Sequence, residues 1–240
     1  MSLLAFKHAL QFLTRVPVRI SAFDPDDFSR SVNWFPVVGL IVGAAVAGAV
    51  WLGAMVSPWI GGLLGLIAWV WITGGLHLDG LGDVADGLGA AHRSPERFLE
   101  VLRDPHIGAF GTMAIVVQMF AKLILLAELV PHAPWLALVL IPAWARLGPL
   151  FWGLTVPPYA KGMGERFSWR IDPTTVAVTA CLLTAASIWA APVLAAALVI
   201  IPLITLYWRL RLGGITGDCL GASTEVTETL LLLLLAAAIV

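Results

Sequence analysis

The sequence predicts an all-α membrane protein: a polytopic helical bundle of about seven transmembrane helices with its N-terminus on the cytoplasmic side. Three observations carry this expectation. Of 240 residues, 60% are hydrophobic and 12% charged, with a mean hydropathy of +0.93, whereas soluble domains average ~25% charged residues. Between Arg30 and Asp79 lie 48 residues without Asp, Glu, Lys or Arg, against ~20 apolar residues needed for one span. The lysines and arginines also fall on alternate connecting segments. Such a composition excludes an ordinary soluble domain, a disordered chain and a disulfide scaffold. A net charge of −1 supplies no basic field for nucleic acid. Cys181 and Cys219 lack metal-ligand spacing.

The elements follow in order. Residues 3–14 read as an amphipathic helix lying at the interface, with no cleavable signal peptide. The run after Arg30 holds two spans, 34–56 and 59–78, turning at Ser57-Pro58-Trp59. A third span reads 107–129 and carries Lys122 and Glu128. The fourth, 135–154, carries Arg146. The uncharged run 173–208 divides near Ala191-Pro192 into spans 174–191 and 192–208. The last apolar run, 229–240, covers only about 18 Å at ~1.5 Å per residue, short of a ~30 Å hydrocarbon core. The final span must therefore start near Asp218 and is placed at 218–240. Residues 1–240 read as a single integral membrane domain.

Seven spans with the N-terminus inside put segments 1–33, 79–106, 155–173 and 209–228 in the cytoplasm. Those segments hold 12 of the 14 Lys and Arg and 14 of the 15 Asp and Glu. The outside turns hold no Lys or Arg. Any chemistry is therefore expected on the cytoplasmic face of the membrane.

The sharpest motif is Gly74-Gly75-Leu76-His77-Leu78-Asp79-Gly80-Leu81-Gly82-Asp83-Val84-Ala85-Asp86-Gly87. On a helix, Asp79, Asp83 and Asp86 lie within about 60° of one another, so three carboxylates share one face. Such a set repels itself unless protonated or bridged by a cation, and hard oxygen ligands select Mg²⁺, Mn²⁺ or Ca²⁺. The alternative is a polar helix end solvated by headgroups and water. His77 reads either as a base or substrate contact, or as a hydrogen-bonded structural histidine. A second acidic set, Asp218, Glu225 and Glu228, opens the last span. Ionisable groups at membrane depth are functional candidates, and Asp218 with Glu225 would face the first set. Cations on the same side include Arg93, Arg97, Arg103, Lys161 and Arg166. Arg146 within the fourth span is expected to face a carboxylate or a bound phosphate. Acidic clusters for a hard cation, together with cations on one face, suit nucleotide-activated phosphoryl transfer.

The stretch Thr73 to Gly87 resembles the signature of the cobalamin synthase family, the adenosylcobinamide-GDP ribazoletransferases. So do Arg103-Asp104 through Gly111, Pro158-Tyr159-Ala160-Lys161 with Gly162-Met163-Gly164, and Gly217-Asp218 with Gly221-Ala222 and Glu225. The likeness covers nearly the whole chain in order. Gly82 departs from the family's alanine, a small-for-small change. The resemblance implies a multi-pass transferase of the cell inner membrane that joins adenosylcobinamide-GDP to α-ribazole or its 5′-phosphate. The products would be adenosylcobalamin or its 5′-phosphate, with release of GMP and a need for Mg²⁺. On this reading His77, Asp79, Asp83, Asp86 and Asp104 are catalytic. Arg103, Arg146, Lys161 and Arg166 bind substrate, and Asp79, Asp83, Asp86, Asp218 and Glu225 hold the metal. The partners are these small molecules and the lipid bilayer, with a homo-oligomer left open. Two other readings stand beside it. One is a phospholipid synthase like the CDP-alcohol phosphotransferases, although their Asp-x-x-Asp-Gly-x-x-Ala-Arg opening is absent. The other is a cation-coupled transporter, which would place its binding groups near the midplane rather than at one face.

Overall fold

A computed structural model describes residues 2–20, 24–90, 95–159 and 170–239. Helices α1 (Leu3–Leu13) and α2 (Pro25–Arg30) precede a 3₁₀ turn (Ser31–Trp34) that runs into α3 (Phe35–Ala54). Then come α4 (Pro58–Thr73), α5 (Leu76–Ala90), α6 (Pro95–Val101), α7 (Ala109–Leu129) and α8 (Trp135–Thr155). Helices α9 (Pro173–Ala190), α10 (Ala197–Arg211) and α11 (Gly217–Ile239) complete the described chain. Among the described residues six helices are long and apolar enough to cross a membrane, and seven if the bent pair α4–α5 forms one span. Large apolar side chains such as Val117, Leu182, Trp189 and Leu210 point outward, as a bilayer solvent requires.

Local chemistry starts several of these helices in the same way. Asp24, Ser57 and Asp172 each accept a backbone N–H in the first turn of the helix that follows, and Pro25, Pro58 and Pro173 stand just inside it. A capping side chain satisfies one of the free N–H groups, and proline at the first helical position has no N–H to lose.

Gly74 and Gly75 end α4 with left-handed φ values of 65° and 75°, a conformation that costs a residue with a Cβ. The chain there bends by 87° into α5. The expected span 59–78 therefore ends at Thr73, and Leu76, His77 and Leu78 belong to a helix that turns across it. The segment leaving α1 covers this corner. Arg15 N donates to Ile72 O at 2.8 Å, and a Cβ on Gly74 would stand 2.7 Å from Arg15 Nε. A cation beside carbonyls left free at a helix C-terminus is favourable.

Helix α8 is the axis of the bundle. Trp144, Arg146 and Trp152 are among its fully buried side chains. Against α3 the backbones nearly touch: a Cβ on Gly39 would lie 2.6 Å from Ala143 Cα, and one on Gly43 would collide with Val139. Small residues at i and i+4 are how membrane helices approach closely. Indole N–H groups fasten the outer helices. Trp144 Nε1 donates to Ser187 Oγ at 2.9 Å, Trp152 Nε1 to Ile201 O at 2.9 Å, and Trp208 Nε1 to Ser223 Oγ at 2.7 Å.

One face of helix α1 packs on the bundle. Ala5, Ala9 and Leu13 are buried, and Phe12 stacks on Phe35 at the start of α3, with ring centroids 5.9 Å apart and planes 15° from parallel.

Candidate active site

The described residues of the four sequence motifs meet at one end of the bundle. Helices α5 and α11 cross where Gly80 faces Asp218; a Cβ on Gly80 would stand 2.9 Å from Asp218 O and 3.1 Å from its Cα. This approach brings the first acidic motif to the last. The Asp83 carboxylate feels the charges of Asp79, Asp218 and Asp86, so four acids from two helices repel within one region. Asp79 is exposed, and Asp83 and Asp218 are half-buried. Pro157-Pro158-Tyr159 is tied to the residues before α11: Tyr159 N donates to Ile215 O at 2.9 Å, and Ile215 N to Pro157 O at 3.0 Å. Helix α6 packs its buried Phe98 against Gly87, with Phe98 Cδ2 2.8 Å from where a Cβ would stand.

Asp86 has a different task from its two neighbours. Its carboxylate accepts Gly108 N at 2.6 Å and Gly111 N at 2.9 Å. Gly108 is the N-cap of α7 and has no side chain to fill that role, so an acid 22 residues upstream fills it. A Cβ on Gly108 would stand 2.5 Å from Asp86 Oδ1, so a larger residue there would push this carboxylate aside. The carboxylate is buried and spent on backbone N–H groups, as a negative charge at a helix N-terminus should be. This departs from the expectation that all three aspartates hold metal.

Glu225 also departs from its expected role, whereas Arg146 faces a carboxylate, one of its two expected partners. Lys122 Nζ lies 2.7 Å from Glu225 Oε2 and 2.5 Å from Glu228 Oε2. Arg146 Nη1 lies 2.6 Å from Glu228 Oε1 and also donates to Pro142 O at 3.1 Å. Gln118 Nε2 reaches Glu225 Oε2 and Thr229 Oγ1, each at 2.8 Å, and Lys122 sits 4.3 Å above the Trp69 ring. Two cations and two carboxylates cancel, so this buried set from α7, α8 and α11 needs no metal to neutralise it. Of the two partners expected for Arg146 the structure shows the carboxylate, and the expected metal ligand Glu225 is paired with an ammonium. Glu228 is one of the acids that the sequence marks as candidates, but Lys122 and Gln118 are not among the expected site residues. A lysine inside an apolar span, four residues after a glutamine, was the available signal.

His77 stands between the two acidic layers. It is buried, and its Nδ1 is 3.5 Å from Arg146 Nη2, at the outer limit of a hydrogen bond. A guanidinium only donates, so Nδ1 accepts and the neutral ring carries its proton on Nε2.

Beside His77 a pocket of about 130 Å³ opens. Asp79, Asp218, His77 and Thr224 are polar residues of its lining, and Phe12, Phe35, Leu76 and Pro149 are apolar ones. Sequence reading missed the apolar wall, which α1, α3 and α8 supply. Asp104 is exposed and bonded to His106, with its Oδ1 2.7 Å from His106 Nδ1. The His106 ring holds its carboxyl below the usual carboxylate range. Arg103 is exposed. Neither residue lines the pocket. Lys161 and Arg166 lie outside the described residues, as does Arg93.

A family model described as cobalamin-5-phosphate synthase matches residues 5–236. The adenosylcobinamide-GDP ribazoletransferase of Laribacter hongkongensis is 54% identical over 232 residues, covering 94% of this chain and 93% of its own. Proteins of the same name from Thiobacillus denitrificans and Brevibacillus brevis are 50% and 35% identical. These alignments cover 94% and 96% of this chain, and 92% and 97% of the relatives. No solved structure matches the chain.

Proposed function

The chain belongs to the cobalamin-5-phosphate synthase family, and we propose from that premise that the acids around the pocket serve transfer from adenosylcobinamide-GDP to ribazole. The observation that carries this reading is the contact of Gly80 with Asp218. It joins Asp79 and Asp83 on α5 to Asp218 on α11 beside a pocket at the bundle's end. A hydroxyl of α-ribazole, or of its 5′-phosphate, attacks the phosphorus on the cobinamide side of the diphosphate. The bond to the GMP oxygen breaks, and GMP leaves with its own phosphate.

Magnesium fits this donor set chemically. Its ligands are hard oxygens, and it keeps several waters and completes its shell with substrate phosphates rather than an all-protein cage. Among the described residues no three His, Cys, Asp or Glu side chains stand together at ligand spacing, so one or two carboxylates with substrate oxygens suit it. One or two of Asp79, Asp83 and Asp218 would hold it, and bound there it would neutralise charge on the diphosphate. Asp86 is left out because it caps α7, and Glu225 because it pairs with Lys122. His77, with Nδ1 toward Arg146, offers substrate a hydrogen bond from Nε2 rather than acting as a base. Arg103, with Lys161 and Arg166 from the sequence, would draw the diphosphate to the rim. The active face is taken as cytoplasmic and the membrane as the inner one.

The test is GMP release by purified protein in detergent, given adenosylcobinamide-GDP. Release that requires added α-ribazole or its 5′-phosphate supports the reading. Release from a CDP-activated lipid, or none from either donor, overturns it.

A further inference from the structure

The pocket beside His77 is lined by both aromatic and acidic side chains. Asp79 and Asp218 bring carboxylates to its lining, His77 and Thr224 are its other polar side chains, and Phe12, Phe35, Leu76 and Pro149 make much of the wall apolar. Phe12 and Phe35 are near-parallel rings, a surface on which a flat aromatic group packs well. At about 130 Å³ the pocket is close to the ~150 Å³ that holds benzene in an engineered apolar cavity. It is also open on one side, so a two-ring system can enter while the corrin macrocycle is far too large.

The substrates under the reading above contain two aromatic bases. Guanine carries donors and acceptors around its edge, and burying them against phenylalanine, leucine and proline would leave them unpaired, at a cost. Dimethylbenzimidazole, the base of ribazole, has two methyl groups on its outer edge, and its glycosidic nitrogen is already substituted. Its apolar rim suits the apolar wall. Its sugar would then lie toward Asp79 and Asp218, where an attacking hydroxyl is needed.

We infer that the pocket walled by Phe12 and Phe35 is the subsite for the dimethylbenzimidazole base of the acceptor nucleoside. This rests on the transferase reading. Helix α1 thereby forms part of the acceptor site, and the guanosine and corrin ends of the other substrate bind outside this pocket.

Two variants and two measurements test it. Phe12→Leu keeps apolar bulk but removes the ring. Leu76→Trp narrows the mouth at a residue already 37% exposed, so it leaves the core intact if Phe12→Leu does not fold. Equilibrium dialysis of α-ribazole against the protein, without the nucleotide substrate, reads the subsite directly. Initial rates with each substrate varied read it in turnover. The expected result is weaker α-ribazole binding and a higher KM for α-ribazole, by about three- to tenfold for Phe12→Leu, and a larger loss for Leu76→Trp. The KM for adenosylcobinamide-GDP stays at the wild-type value in both. Unchanged α-ribazole binding in Leu76→Trp, or a rise confined to the KM for adenosylcobinamide-GDP, overturns the assignment. Wild-type protein that binds α-ribazole through this pocket but releases no GMP refutes the transferase reading and leaves the subsite standing.

Discussion

Arg146 and Glu228 form an ion pair of 2.6 Å in which both side chains are fully buried. Glu228 shares its other oxygen with Lys122, and Lys122 in turn holds Glu225. A charge near the centre of a spanning helix costs about 2.5–3.5 kcal/mol even on the mild insertion scale. Charges joined in a closed, neutral set offset much of that cost, whereas one left alone does not.

Removing one member should therefore show in stability first. Arg146→Met leaves Glu228 with one partner, and breaking a buried pair from one side costs about 3–5 kcal/mol. The thermal midpoint in detergent should fall by roughly 6 °C or more. A fall in apparent substrate affinity with an unmoved midpoint would instead return Arg146 to phosphate binding.

Lys122 and Glu225 should show coupling. Lys122→Met alone strands a carboxylate. Lys122→Met combined with Glu225→Gln removes both charges and should recover part of the lost midpoint. Strictly additive losses would mean that the two side chains do not interact.

Asp86 should behave as a helix cap. Asp86→Ala frees the N–H groups of Gly108 and Gly111 and should cost about 0.5–2 kcal/mol of stability. The Mg²⁺ concentration giving half-maximal activity should stay where it is in the wild type. Gly108→Ala should be destabilising too, because its methyl group would meet the Asp86 carboxylate. A large rise in the Mg²⁺ requirement of Asp86→Ala at unchanged stability would make Asp86 a ligand after all.

The charge partition makes its own prediction. Reporter fusions at residues 95 and 165 should read cytoplasmic, and one at residue 132 should read outside. A cytoplasmic signal at residue 132 would break the seven-span topology and with it the assignment of the active face.

Much of the architecture was legible because apolar length and missing charge are additive along the chain. The expected span at 107–129 and the helix Ala109–Leu129 nearly coincide, and the need for the last span to start near Asp218 is met by a helix from Gly217. The α4–α5 corner was not legible, since Gly74-Gly75 marks a break without stating its angle. Pairing inside the membrane was not legible either. Glu225 sits on α11 at helical spacing from Asp218, but the rotation of α7 decides whether it meets the aspartates or Lys122. Asp86 deceived for a related reason: it shares a face with Asp79 and Asp83, yet its partners are backbone N–H groups at Gly108 and Gly111, which no side-chain pattern records. The packing of Phe12 on Phe35 was not legible either, because amphipathic spacing does not say which apolar surface a short helix will cover.

The most direct measurement is the Mg²⁺ dependence of GMP release in the wild type and in Asp83→Asn, with the thermal midpoint of each recorded. The account predicts no release from the wild type without a divalent cation and recovery on adding Mg²⁺. For Asp83→Asn it predicts a loss of activity that excess Mg²⁺ does not restore, at a midpoint no lower than that of the wild type. Full turnover by Asp83→Asn at low Mg²⁺, or wild-type turnover in excess chelator, would contradict it.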